Sequence, residues 1–169
     1  MFFIESSLSE LYHSTVIAFP HCPKRENATN EIVITKLEWT PFVGMRTLRI
    51  KGLAQNKRNG HEYSPEIVFK NCQFHQNRDI LGLIEIIDNI GGRYLLEKIH
   101  ENVSILVKCE CKDYFWRFRH QNFEDHSHQG RDRTPYVALH NPGTADIAPG
   151  LCKHILKLAI TLNRSGLID

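Results

Sequence analysis

Two short cysteine-containing motifs constrain this chain more than any other feature of its sequence. Cys109 and Cys111 form a Cys-x-Cys motif, and Cys152 and His154 form a Cys-x-His motif far downstream. Three thiols and one imidazole make a complete tetrahedral ligand set for zinc. Because the set contains no carboxylate and leaves no position for water, we expect a structural zinc site that joins two distant stretches of the chain.

The residues around each motif predict how the ligands are presented. The alternation of residues 103–107 predicts a strand that leads into the first pair. Residues i and i+2 of a strand face the same side, so the two thiols of this pair can converge if the chain curls at the strand end. After the break at Pro149, the apolar spacing of residues 151–162 predicts a helix whose first turn carries the second pair.

Other interpretations of these residues remain open. Buried free cysteines are common packing residues, and a disulfide between Cys109 and Cys152 could form in an oxidising compartment. The fourth ligand could also be another histidine of this region, although His154 lies nearest to Cys152 in the sequence. The alternatives to His154 are His120, His128 and His140.

The N-terminal part of the chain predicts a β-rich body. Strands are expected over 15–19 and 31–39, separated by a loop over 21–27. A hairpin is expected over 47–69, because Asn59-Gly60 supplies the positive φ of a tight turn. The apolar spacing of residues 77–89 predicts one internal helix.

The predicted fold class is α+β, in two units. Residues 1–92 would form the β-rich body, and residues 93–169 would form a zinc lobe. The lobe would consist of a β-hairpin over 93–111, a C-terminal helix and a long inserted loop over 112–151. Within the insertion we expect a helical turn at 113–120, followed by a polar, histidine-rich loop over 121–133 that a neighbouring molecule orders.

The ligand pattern resembles the SWIM zinc-binding family, over residues 93–163. The resemblance implies a Cys-x-Cys on a β-hairpin and a Cys-x-His that opens a helix. Several segments of the chain also resemble SWIM-type segments in small tailed-phage structural proteins. The residues that carry it are Cys109-x-Cys111-x-Asp113-Tyr114, Trp116-Arg117-Phe118, Asn141-Pro142, Pro149-Gly150-x-Cys152-Lys153-His154-Ile155 and the hairpin over 47–69. This likeness implies that the chain is a component of a virion tail, baseplate or neck. Such a virion would be assembled in the host cytoplasm.

Composition narrows the possible classes. With 41% hydrophobic and 24% charged residues the chain fits a soluble globular protein, and its net charge of +2 argues against bulk electrostatic binding of nucleic acid. We expect no transmembrane helix, because no apolar run approaches 18 residues, and no secretory signal, because the start lacks a basic segment. The odd number of cysteines favours synthesis in a reducing compartment.

These observations favour a zinc-stabilised structural or assembly protein that acts through protein–protein contacts. Its partners would be other virion or assembly proteins, in a complex that contains several copies of the chain. The alternative is a cytoplasmic SWIM-type regulatory module that binds nucleic acid or protein, through the hairpin cations and Trp116–Arg119. The hairpin cations, with no acid among them, are Arg46, Arg49, Lys51, Lys57 and Arg58.

We do not expect an enzyme. The sequence contains no Gly-rich phosphate loop and no serine nucleophile elbow. The His-x-Glu and Pro-Cys-x-x-Cys motifs of zinc deaminases are also absent.

Overall fold

The structure, a computed structural model, describes residues 5–19, 23–131 and 148–169. It has an α+β fold, as the sequence predicts. Its helices are α1 (Leu8–Ala18), α2 (Pro23–Asn30), α3 (Lys112–Arg117), α4 (Arg119–Glu124) and α5 (Lys153–Arg164). Its strands are β1 (Ile32–Phe42), β2 (Thr47–Asn56), β3 (Glu62–Tyr63), β4 (Glu66–Phe69), β5 (Phe74–His75), β6 (Ile84–Ile87), β7 (Arg93–Leu96) and β8 (Ile105–Lys108).

The main sheet is antiparallel, with the strand order β1-β2-β4-β8 and with β3 added to β2. The strand over 31–39 and the hairpin over 47–69 are confirmed, and Gly60 at the hairpin turn has a φ of 71°. Along β2 buried residues alternate with partly exposed ones, which include the cations Arg49 and Lys51, as a half-buried strand requires. Leu48, Ile50 and Ala54 are fully buried on the face that forms the core.

The internal helix predicted over 77–89 is wrong, because this segment contains turns followed by strand β6. The side chain of Asn77 accepts a hydrogen bond from the backbone N–H of Asp79 at 2.9 Å, which closes a local turn. Gly82 has a φ of 85°, which ends any regular helix there. The isoleucine-rich run that follows pairs with β7 in a small sheet of order β5-β7-β6.

The hairpin predicted over 93–111 is also wrong, because its two strands belong to different sheets. β7 pairs with β5 and β6, whereas β8 pairs with β4 in the main sheet. Ile105 and Val107 of β8 are fully buried, opposite Phe69 and Ile67 of β4. This burial of apolar side chains in the main core explains why β8 pairs there instead of with its neighbour in sequence.

The N-terminal predictions need a similar correction, because helices replace a strand and a loop. The strand predicted over 15–19 is wrong, since α1 runs to Ala18 and begins with a capping box between Ser7 and Glu10. The β-branched Thr15 fits within this helix because its hydroxyl donates a hydrogen bond to the carbonyl of Leu11 at 2.7 Å. The loop predicted over 21–27 is replaced from Pro23 onward by α2, and residues 20–22 lie outside the described residues.

The insertion is more helical than predicted. The helical turn at 113–120 is confirmed as α3 and the start of α4. The loop predicted over 121–133 is partly wrong, since α4 continues to Glu124 and Gln129 donates its backbone N–H to Val107 at 2.9 Å. Residues 132–147, which include the rest of that loop and His140, lie outside the described residues.

Helix α5 covers the buried face of the main sheet. Its predicted apolar stripe is confirmed, because the side chains that face the sheet are buried. The buried residues of this segment include Leu151, Ile155, Leu158, Ala159 and Leu162. The domain boundary at residue 92 stays a prediction, while β8 and α5 are both anchored on the main sheet. No helix among the described ranges is long and apolar enough to cross a membrane.

Candidate metal centre

Both predicted ligand pairs lie where a regular element begins or ends. Cys109 directly follows β8, and Cys111 is the N-cap residue of α3. Cys152 is the N-cap residue of α5, and His154 lies in the first turn of that helix. Both N-cap residues have an extended backbone, which directs their side chains away from the regular helical positions. The structure therefore joins a strand end to a helix start, as the spacing predicts.

The candidate ligand atoms of the four residues converge at one buried point. The three sulfurs and one imidazole nitrogen all lie within 4.8 Å of one another. Cys109 Sγ lies 4.0 Å from His154 Nδ1, so this ring nitrogen faces the cluster. The four residues are at most 5% exposed. A cluster of this composition could hold a metal ion.

The geometry fits a tetrahedral metal. Bonds of about 2.3 Å to sulfur and 2.0 Å to nitrogen place tetrahedral ligand atoms roughly 3.5–3.8 Å apart. The donor atoms therefore need to approach one another by no more than about 1.3 Å to close around an ion. All four positions would be filled by protein side chains, and their burial keeps bulk water away from the centre.

Of the histidines considered from the sequence, His154 is the one that joins the cysteines within the described residues. His128 lies in a different polar group, where its Nδ1 is 2.8 Å from the hydroxyl of Tyr114. His120 belongs to α4 and is not part of the cluster. His140 lies outside the described residues.

Without a metal, the three thiols differ in pKa. Hydrogen bonds from the thiols of Cys109 and Cys152 lower the pKa of Cys111, and the backbone N–H of Tyr114 also donates to its sulfur at 3.3 Å. The same hydrogen bonding to Cys111 raises the pKa of Cys109, while burial raises the pKa of Cys152. A cation placed among the three sulfurs would favour their thiolate forms, which are the metal-binding species.

Aromatic side chains lie beside the cluster. Tyr114 and Phe118 are buried, and burial raises the pKa of Tyr114. The ring of Tyr63, which sequence reasoning missed, lies 4.7 Å from the ring of His154 between their centroids. Trp116, at 46% exposure, is the exposed aromatic side chain of α3.

Sequence reasoning also missed three polar residues near the second ligand pair. The backbone of Gly150 and Leu151, just before Cys152, forms hydrogen bonds with the side chains of Thr15, Arg25 and Asn122. They come from three different helices, and Thr15 is separated from Leu151 by 136 positions. No local periodicity or motif spacing connects residues so far apart, so only the folded chain identifies them.

The remaining cysteines and their neighbouring histidines lie away from the cluster or are not described. Cys72 is buried, which raises the pKa of its thiol to about 11, and its sulfur donates to the carbonyl of Phe69 at 3.6 Å. His75 pairs with Glu97 at 2.7 Å. His21 and Cys22 lie outside the described residues.

Comparison with known proteins adds no relative. No protein-family model matches the chain, no curated protein matches it, and no solved structure matches its fold. The resemblance to SWIM domains therefore rests on the spacing of the ligands and on their placement at a strand end and a helix start.

Proposed function

We propose that this chain is a zinc-stabilised structural protein that works as a non-catalytic part of a larger assembly. The observation that carries the proposal is the buried Cys109–Cys111–Cys152–His154 cluster, which brings together as many donors as a tetrahedral zinc site needs. Structural zinc sites are closed by four protein ligands, whereas catalytic sites keep one position for water or substrate. Thiolate and imidazole donors in tetrahedral arrangement favour zinc among the common biological metals.

The purified chain is expected to contain about one zinc ion per molecule. Elemental analysis of protein expressed without added metal measures this ratio, and cobalt substitution reports a tetrahedral thiolate site by its absorption. The double variant Cys109→Ser/Cys111→Ser should contain no zinc, while Cys72→Ser, which alters an equally buried thiol outside the cluster, should retain it. A folded, metal-free wild-type protein would contradict the proposal.

An assembly role is supported by an exposed apolar surface beside the small sheet. β6 is an edge strand, and four apolar side chains in and around it face solvent. We call these four side chains, which belong to β6 or flank its two ends, the β6 apolar surface; their exposures are 40% for Ile80, 97% for Leu81, 49% for Ile87 and 93% for Ile90. Edge strands with exposed apolar residues readily pair with or pack against other chains.

The basic hairpin offers less support for nucleic-acid binding, because two of its cations contact carboxylates. Arg49 makes paired hydrogen bonds of 3.0 Å to both oxygens of Glu66, and Arg58 lies 3.8 Å from Glu31. Pairing of this kind reduces the positive potential available to a phosphate backbone. Protein–protein contact is therefore the function that we propose. The likeness to tailed-phage structural proteins supports a virion as the assembly.

Polar substitution of the β6 apolar surface is expected to prevent incorporation of the chain into its assembly. In the double variant Leu81→Ser/Ile90→Ser, both side chains are almost fully exposed, so the free energy of unfolding should change by less than about 0.5 kcal/mol. A mass-spectrometric inventory of particles purified from the source should show the wild-type chain in several copies and should lack the variant. The control Ile17→Ser/Met45→Ser removes comparable exposed apolar groups elsewhere and should be incorporated normally. Equal incorporation of both double variants would refute this role for the surface.

A further inference from the structure

The two residues before Cys152 are held by side chains. Every backbone N–H and C=O group of Gly150 and Leu151 forms a hydrogen bond with a side chain. The N–H of Gly150 donates to Asn122 Oδ1 at 2.7 Å, and Asn122 Nδ2 donates back to the Gly150 carbonyl at 2.9 Å. The N–H of Leu151 donates to Thr15 Oγ1 at 2.9 Å, and Arg25 Nη1 donates to the Leu151 carbonyl at 3.2 Å. We call Thr15, Arg25 and Asn122 together the backbone clamp.

The clamp also reaches the other ligand pair. Arg25 Nη2 donates to Asp113 Oδ1 at 3.1 Å, so one guanidinium connects the residue before Cys152 to the helix that begins after Cys111. The Arg25 and Asp113 side chains are only 12% and 15% exposed, respectively, and Arg25 lies 5.1 Å from the Phe118 ring centroid. A partly buried arginine that donates to two different groups and lies over an aromatic ring is a rigid link.

Asn122 forms a second link that does not pass through the metal. It is fully buried in α4, and its own carbonyl accepts the N–H groups of Ser127 and His128 at 2.8 and 2.9 Å. These bonds fix the position of Asn122, whose carboxamide forms two hydrogen bonds with the backbone of Gly150. Only glycine fits at position 150, because a Cβ there would lie 2.6 Å from Thr15 Oγ1 and 2.7 Å from Phe118 Cε1.

We propose that the clamp residues are positioning residues that hold the two ligand pairs in register before the metal binds. This inference rests on the proposed metal site and adds that the site is preorganised by the fold. In a preorganised site the ligands need little rearrangement to bind, and one released ligand stays near the metal and rebinds. The clamp therefore slows metal loss as well as favouring metal binding.

The hydroxyl of Thr15 allows a matched test. In Thr15→Val the shape is kept but the acceptor for Leu151 is lost, whereas Thr15→Ser keeps it. Thr161 is the control, because its hydroxyl makes the same bond to the carbonyl four residues earlier, to Lys157 at 2.9 Å, but has no part in the clamp. Asn122→Ala is the stronger variant, and Thr15→Val serves if Asn122→Ala does not fold.

The first measurement is the rate of zinc transfer from the full chain to a chelator, well below the melting temperature. We expect Thr15→Val and Asn122→Ala to release zinc at least about tenfold faster than wild type, since removing residues that support metal ligands lowers metal affinity by about that factor or more. Thr15→Ser and Thr161→Val should release it at the wild-type rate. Equal rates in wild type, Thr15→Val and Asn122→Ala would overturn the positioning role even though zinc binding, and with it the proposed function, would stand.

The second measurement is hydrogen exchange at the Gly150 and Leu151 amides of metal-free wild-type protein. Slow exchange there, and its loss in Thr15→Val at Leu151, would support a clamp that forms without metal. Fast exchange at both amides would overturn preorganisation, because the segment would then be held by the metal alone. A wild-type chain that binds neither zinc nor cobalt would overturn the proposed function and the positioning role together.

Discussion

Replacing Cys152 with serine is expected to remove most of the stability that zinc confers on this fold. Structural zinc contributes on the order of 10 kcal/mol in small peptides, which is comparable to the whole free energy of unfolding of an ordinary domain. In this chain β8 and α5 are also anchored on the main sheet, so we expect a loss of at least about 3 kcal/mol with retention of some folded core. Chemical denaturation in the presence of zinc measures the loss.

A chelator distinguishes loss of the metal from loss of a buried thiol. Cys72→Ser is the matched control, because Cys72 is also buried but lies outside the cluster, and burial of an added hydroxyl costs about 1–3 kcal/mol. Chelation should destabilise wild type and Cys72→Ser by the same amount and should leave Cys152→Ser nearly unchanged. An equal response of all three proteins to the chelator would show that zinc does not act through this cluster.

Substitution of Gly150 by alanine is expected to have the second largest effect. The added methyl would overlap Thr15 Oγ1 at 2.6 Å and two ring carbons of Phe118 at 2.7 and 2.8 Å. The Phe118 ring has little room to move, because it is buried and packs edge-on against Phe19. Overpacking of this kind costs about 3 kcal/mol, or roughly 6–12 °C in melting temperature for a chain of this length.

Gly44→Ala is the control for the effect of alanine on the unfolded chain. No atom lies within 4 Å of a Cβ placed at Gly44, so this variant should match wild type or be slightly more stable. Thermal unfolding of the zinc-loaded proteins compares the two substitutions. The steric argument fails if Gly150→Ala and Gly44→Ala melt at the same temperature.

The outcome at particular elements shows where sequence reasoning succeeds. Helix α5 and the hairpin over 47–69 were predictable, because each has the period of its own secondary structure and clear turn residues at its ends. The segment over 77–89 was misassigned because a short isoleucine-rich run fits a helical stripe and a buried strand equally well. Pairing with β7 settles which one forms, and that pairing is not visible in local periodicity.

The same distinction applies to the site. The four candidate ligands could be identified from the sequence, because metal chemistry restricts donors to a few side chains at short spacings, and the folded chain brings these four together. By itself the sequence thus determined which four residues are candidate donors, and that a strand ends and a helix begins beside them. Tertiary structure decided that β8 pairs with β4 instead of β7, and that Thr15, Arg25 and Asn122 hold the backbone before Cys152. These features depend on burial and on hydrogen bonds between residues far apart in the chain, and such contacts exist only once the core has formed.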